Sequence, residues 1–138
     1  MRILAIDYGL KRIGIATTDE LRLTIRAVKT IPSHGVNQDA HRLLEIANQL
    51  NTKQLVIGLP THHSDRSGVF LRRVLKLRDK LQKLSSLPVT VWNESWTTTA
   101  ANQWMIEHHI PAKRRRQIRD QIAACLILED FLSSQKHA

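Results

Sequence analysis

Residues 2–17 read RILAIDYGLKRIGIAT, and this stretch decides the fold. From Arg2 to Tyr8 the side chains alternate, with Ile3, Ala5 and Asp7 on one face and Leu4, Ile6 and Tyr8 on the other, as in a β-strand. Gly9, Leu10 and Lys11 form a tight turn, and a second strand over residues 12–17 runs back beside the first. Asp7 therefore stands near a strand end, next to a glycine turn. A carboxylate in an apolar strand must find cations or hydrogen-bond donors to offset its desolvation, which marks Asp7 as a functional candidate.

Outward from this hairpin, residues 21–31 give a third strand and complete an antiparallel meander. Leu43, Leu44, Ile46, Ala47 and Leu50 recur at helical spacing and predict a helix over residues 39–50. Residues 55–59, LVIGL, form a short apolar run before Pro60, the pattern of a parallel strand buried on both faces. Phe70, Val74, Leu77, Leu81 and Leu84 mark a second helix, whose opposite face carries Arg72, Arg73, Lys76, Lys80 and Lys83. PVTVW at residues 88–92 predicts a fifth strand ending at Asn93 and Glu94. Thr97 or Thr98 caps a further helix that ends before Pro111, and a terminal helix begins near Ile118 with Asp120 in its first turn. The expectation is an α/β fold with a mixed sheet and helices on both faces, within one domain spanning residues 1–138.

The composition narrows the function. Lys and Arg number 21 against 12 Asp and Glu, a formal net charge of +9 that points to a polyanionic partner. Apolar runs are short and no signal pattern opens the chain, so a cytoplasmic protein without a membrane partner is expected. The single cysteine, Cys125, lies in an apolar helical pattern and reads as a packing residue.

Three acids occupy suggestive places: Asp7 ending the first strand, Glu94 ending the fifth and Asp120 opening the last helix. Taken alone, Asp120 is better explained by the attraction of an acid to a helix N-terminus. Taken together, they form the oxygen-donor set that Mg2+ or Mn2+ requires, and divalent ions so held hydrolyse phosphodiesters without a nucleophilic side chain. Lys113, Arg114, Arg115 and Arg116 form a basic loop just before Asp120, and Lys11 and Arg12 lie beside Asp7; all six are candidate nucleic-acid contacts. His62 and His63 fit no zinc spacing and read as loop residues, while His108 and His109 read as a helix end. Of Trp92, Trp96 and Trp104, two fit core positions, which favours packing over base stacking.

Ile6 to Ala16, IDYGLKRIGIA, resembles the opening signature of the YqgF/RuvX family. Three further blocks resemble family motifs in the same order: VIGLP at residues 56–60, NESWTT at 93–98 and DQIAA at 120–124. The resemblance implies a ribonuclease H-like fold, a cytoplasmic location, and a nuclease role in maturing the 5′ end of pre-16S ribosomal RNA or in resolving Holliday junctions. Carried over residue by residue, the family's acidic trio falls on Asp7, Glu94 and Asp120. The sequence departs from the family at Asn93, where an aspartate is usual, and at Ser95, where an arginine is usual; a weakened nuclease, or a binding factor without turnover, is the reading those departures motivate. Structured RNA is the favoured substrate, with branched DNA the alternative, acted on by a monomer or a homodimer.

Overall fold

The computed structural model describes residues 1–60, 68–94, 103 and 106–136, with the side chains of residues 60, 94, 116, 117 and 136 outside that description. Five strands, β1 (Arg2–Tyr8), β2 (Arg12–Thr18), β3 (Ile25–Pro32), β4 (Thr52–Pro60) and β5 (Val89–Glu94), form one sheet in the order β3-β2-β1-β4-β5. β1, β2 and β3 pair antiparallel, and β4 and β5 add in parallel to β1. This is the expected mixed sheet, with β1 at its centre.

Alternation along β1 divides the core as the sequence predicts. Leu4, Ile6 and Tyr8 pack with Ile13, Ile15, Leu55 and Ile57 under α1 (Val36–Gln49) and α2 (Val69–Leu84). Ile3 and Ala5 pack with Ala16 and Val56 under Ala124, Ile127, Leu128 and Phe131 of α3 (Ala112–Lys136). Cys125 joins this second cluster, and burial pushes its thiol up to about 11, in keeping with a packing role.

α1 and β4 each begin three residues earlier than expected, and the two largest boundary differences fall at β3 and the last helix. The third strand starts at Ile25, because residues 19–24 make a turn: Asp19 Oδ1 accepts the backbone N–H groups of Leu23 and Thr24 at 2.7 and 3.0 Å, and Arg22 takes a left-handed φ of 58°. Asp-centred turn chemistry overrides the alternating pattern there and leaves Leu21 and Leu23 exposed. The last helix starts at Ala112 rather than near Ile118, with the Arg115 N–H bonded to the Pro111 carbonyl at 2.9 Å. Lys and Arg are good helix formers, but a basic run has no apolar periodicity to reveal it. Lys113 to Arg116 thus lie in the first turns of α3, not in a loop, and Asp120 lies well inside the helix. The macrodipole account of Asp120 is thereby removed. The helix expected from Thr97 or Thr98 falls largely outside the described residues, although Ile106 and Glu107 are helical.

Behind β1, on the α1–α2 side, a buried polar network fixes the hairpin turn. The Asp39 carboxylate is 2% exposed and accepts from the Tyr8 hydroxyl at 2.6 Å, the Ser33 hydroxyl at 2.6 Å and the His34 N–H at 2.8 Å. Burial and the bond to Asp39 push the Tyr8 phenol well above its ordinary range. Arg73 stacks 4.6 Å over the Tyr8 ring and donates to the Gly9 carbonyl at 3.1 Å. Asp39→Ala leaves three donors without their acceptor, so it is expected to destabilise the fold by about 3 kcal/mol or more, measured by urea unfolding; a loss under about 1 kcal/mol would show the network to be dispensable.

Candidate active site

Asp7 is opposite Gly14 in the β1–β2 register and opposite Gly58 in the β1–β4 register. Glycine at 14 has a specific consequence. A Cβ there would lie 1.9 Å from the Asp120 carbonyl oxygen and 2.9 Å from the Asp120 Cβ. α3 therefore rests directly on the backbone of β2, and Asp120 occupies the space a side chain at 14 would fill. Directly opposed residues in an antiparallel pair have Cβ atoms about 5 Å apart, so this contact sets Asp120 beside Asp7. A glycine inside a strand signals close backbone approach, which is how Gly14 could have been singled out from sequence.

The electrostatics follow from this placement. Asp7 is pushed up to about 7, first by desolvation and second by the neighbouring charge of Asp120. Asp120 in turn accepts from Arg12 Nε at 2.9 Å, with its side chain 22% exposed and that of Arg12 62% exposed. Two carboxylates held together, one of them resisting ionisation, make a site that a bound cation would relieve. Asp7 and Asp120 offer hard carboxylate oxygens of the kind Mg2+ or Mn2+ takes, although among the described residues no group of three or more His, Cys, Asp or Glu side chains gathers there.

Glu94 ends β5, opposite Pro60, and its side chain lies outside the described residues. The backbone register is informative nonetheless. Gly58 pairs with both Asp7 and Trp92, so Asp7 and Trp92 share a face, and β5 ends two residues beyond Trp92 at the same end of the sheet. Trp92 packs edge-on against Phe131 with ring centroids 5.3 Å apart, and its indole N–H donates to Asp130 Oδ2 at 2.6 Å, fastening the end of β5 to α3. Its role is packing, as expected; Trp96 and Trp104 lie outside the described residues. Asn93 is exposed and alternates to the other face, that of Val89 and Val91, which pack against the α1–α2 cluster. The departure from the family at 93 thus falls away from the Asp7 face. Ser95, His62 and His63 lie outside the described residues.

Lys11 and Arg12 are exposed at the hairpin end that carries Asp7. Lys113 and Arg114 are exposed at the start of α3, whereas Arg115 is half-buried and donates to the Ile110 carbonyl at 3.2 Å. Arg115 is thereby engaged in fixing the helix entry; the Arg116 side chain lies outside the described residues. His108 and His109 form the expected helix-end turn. An open cavity of about 690 Å³ beside α1, lined by Ile31, Pro32, His34 and His41 among others, lies on the side of the sheet away from Asp7 and is separate from the carboxylates.

Residues 1–134 match a family described as RuvX, Holliday junction resolvase. The chain belongs to the RuvX family. Among its RuvX relatives, a protein of Endomicrobium trichonymphae is 38% identical over 97% of this chain and 96% of its own. One of Desulforudis audaxviator is 34% identical over 99% and 96%; both carry the name "Putative pre-16S rRNA nuclease". Among solved structures, Thermus thermophilus RuvC in complex with a Holliday junction superposes with a TM-score of 0.62 at 12% identity, covering 100% of this chain and 98% of that one. The fowlpox virus Holliday junction resolvase gives 0.58 at 13%, covering 98% and 99%. At these identities the structural likeness establishes the fold, which is ribonuclease H-like. Among the described residues, no helix is long and apolar enough to cross a membrane.

Proposed function

We propose that this RuvX-family chain is a divalent-metal-dependent nuclease that hydrolyses phosphodiester bonds in structured RNA, acting in 5′-end maturation of pre-16S ribosomal RNA in the cytoplasm. The observation that carries this reading is the convergence of Asp7 and Asp120 over Gly14 at the end of the central strand. Asp7, Asp120 and Glu94 would hold Mg2+ or Mn2+. When bound, the ion supplies positive charge against the developing charge of hydrolysis and a nucleophile near neutral pH. The protein's own part is to keep the carboxylates preorganised on a rigid strand and helix, and to hold the substrate backbone with Lys11, Arg12, Lys113 and Arg114. The curated relatives' name favours RNA, and position 93 stands on the sheet face away from Asp7.

The direct test is cleavage of a pre-16S transcript with Mg2+ or Mn2+, with activity lost in EDTA. Undiminished cleavage in EDTA would overturn the metal reading. The family description motivates a second assay on a four-way DNA junction, where symmetric cleavage by a dimer would favour junction resolution. Neutralising Lys113 and Arg114 together is expected to reduce the slope of log affinity against log salt by about 1.5, since each lost phosphate contact removes about 0.7–0.9. An unchanged slope would remove the start of α3 from the nucleic-acid interface.

A further inference from the structure

Two residues that belong to opposite halves of the proposed chemistry hold each other in this structure. Arg12 is placed to contact a phosphate backbone, Asp120 to hold a cation, and Arg12 Nε sits 2.9 Å from Asp120 Oδ2. Arg12 opens β2 two residues before Gly14, so alternation gives it the face on which Asp7 and Asp120 meet. Among the described residues, the guanidinium on Asp120 is the positive charge paired with the two carboxylates. It is also the charge most directly opposed to a divalent ion at the same place.

The pair is built to open. Arg12 reaches Asp120 from the solvent side with its side chain 62% exposed. Exposed ion pairs of this kind bias an equilibrium by about five-fold at most. Arg12 has no donor role in the buried network behind the turn, where Arg73 binds the Gly9 carbonyl.

We propose that Arg12 is an exchangeable latch on Asp120. In the ion-free protein it neutralises the carboxylate; a divalent cation takes Asp120 while a nucleic-acid phosphate takes Arg12, and each event makes the other easier. The inference rests on the reading that Asp7 and Asp120 hold the ion. Its thermodynamic content is positive coupling between cation and nucleic acid, which must be equal whichever binds first.

The experiment measures that coupling without turnover. The affinity of the full chain for a fluorescein-labelled RNA hairpin is read by anisotropy with and without Ca2+ at matched ionic strength, and Mn2+ affinity is read by calorimetry without RNA. In Arg12→Gln, Mn2+ is expected to bind about two- to five-fold tighter than in the wild type, and the gain in RNA affinity on adding Ca2+ is expected to shrink by a similar factor. Arg12→Lys retains the charge and is expected to keep both values within about two-fold of the wild type, which controls for folding along with a thermal melt. Tighter Mn2+ binding with undiminished coupling would mean a general charge effect and would overturn the latch, as would unchanged or weaker Mn2+ binding in Arg12→Gln. Asp7→Asn separates the two levels. If it leaves Mn2+ affinity unaltered, the carboxylate site itself is wrong; if it weakens Mn2+ while Arg12→Gln changes nothing, only the latch fails.

Discussion

Asp7→Asn is expected to lower cleavage by about 10²- to 10³-fold and, in the same molecule, to stabilise the ion-free fold. The first effect follows from removing one preorganised charge at the reacting centre. The second follows from linkage. The Asp7 carboxyl rises from 3.8 to about 7, chiefly by burial and then by the charge of Asp120. Between about pH 4 and 7 the folded chain therefore keeps a proton that the unfolded chain has released, and stability falls as pH rises through that window. Asparagine carries no such proton, so the variant lacks this slope. A shift of this size corresponds to a few kcal/mol, on the order of 5 °C or more in melting temperature at pH 8. Melting curves in EDTA at pH 5 and pH 8 provide the check. Equal pH dependence in both proteins would contradict the burial of Asp7, and wild-type cleavage by the variant would contradict its role.

Gly14→Ala tests the contact that assembles the site. The new methyl would meet the Asp120 carbonyl oxygen at 1.9 Å, and a helix backbone cannot yield as the tip of a side chain can. α3 must move by more than about 1 Å, a displacement that costs about 10²-fold in rate when it separates catalytic groups. The overpacking itself is expected to cost about 1–3 kcal/mol or more. Urea unfolding gives the stability loss, and cleavage per folded molecule gives the rate. Full activity in a folded Gly14→Ala variant would show that Asp120 does not need its present place.

The two predictions separate what a carboxylate does from what brings it into position. Asp7 was legible because its environment is written in adjacent residues: apolar neighbours on the same strand and a glycine turn behind it. Asp120 was legible as an acid near the start of the last helix and within a family motif but not in its true setting, since its helix was expected to begin close to Ile118 and instead begins at Ala112. The network of Tyr8, Asp39, Ser33 and Arg73 left no sequence signal, because its members come from β1, the β3–α1 connection, α1 and α2. The division of Arg12 from the other basic residues was likewise invisible, as a run of like charges does not say which member meets an acid.

By itself the sequence determined the mixed sheet, the two faces of β1 and the family, because strand alternation, helical periodicity and ordered motifs are properties of neighbouring residues. It also placed Asp7 and Glu94 at strand ends. Only the tertiary structure decided that Asp120 closes over Gly14 beside Asp7, that position 93 turns to the opposite face and that Arg12 holds Asp120. Those are matters of register and of helix-on-sheet approach between residues as much as 108 positions apart, fixed by how closely two backbones can pack.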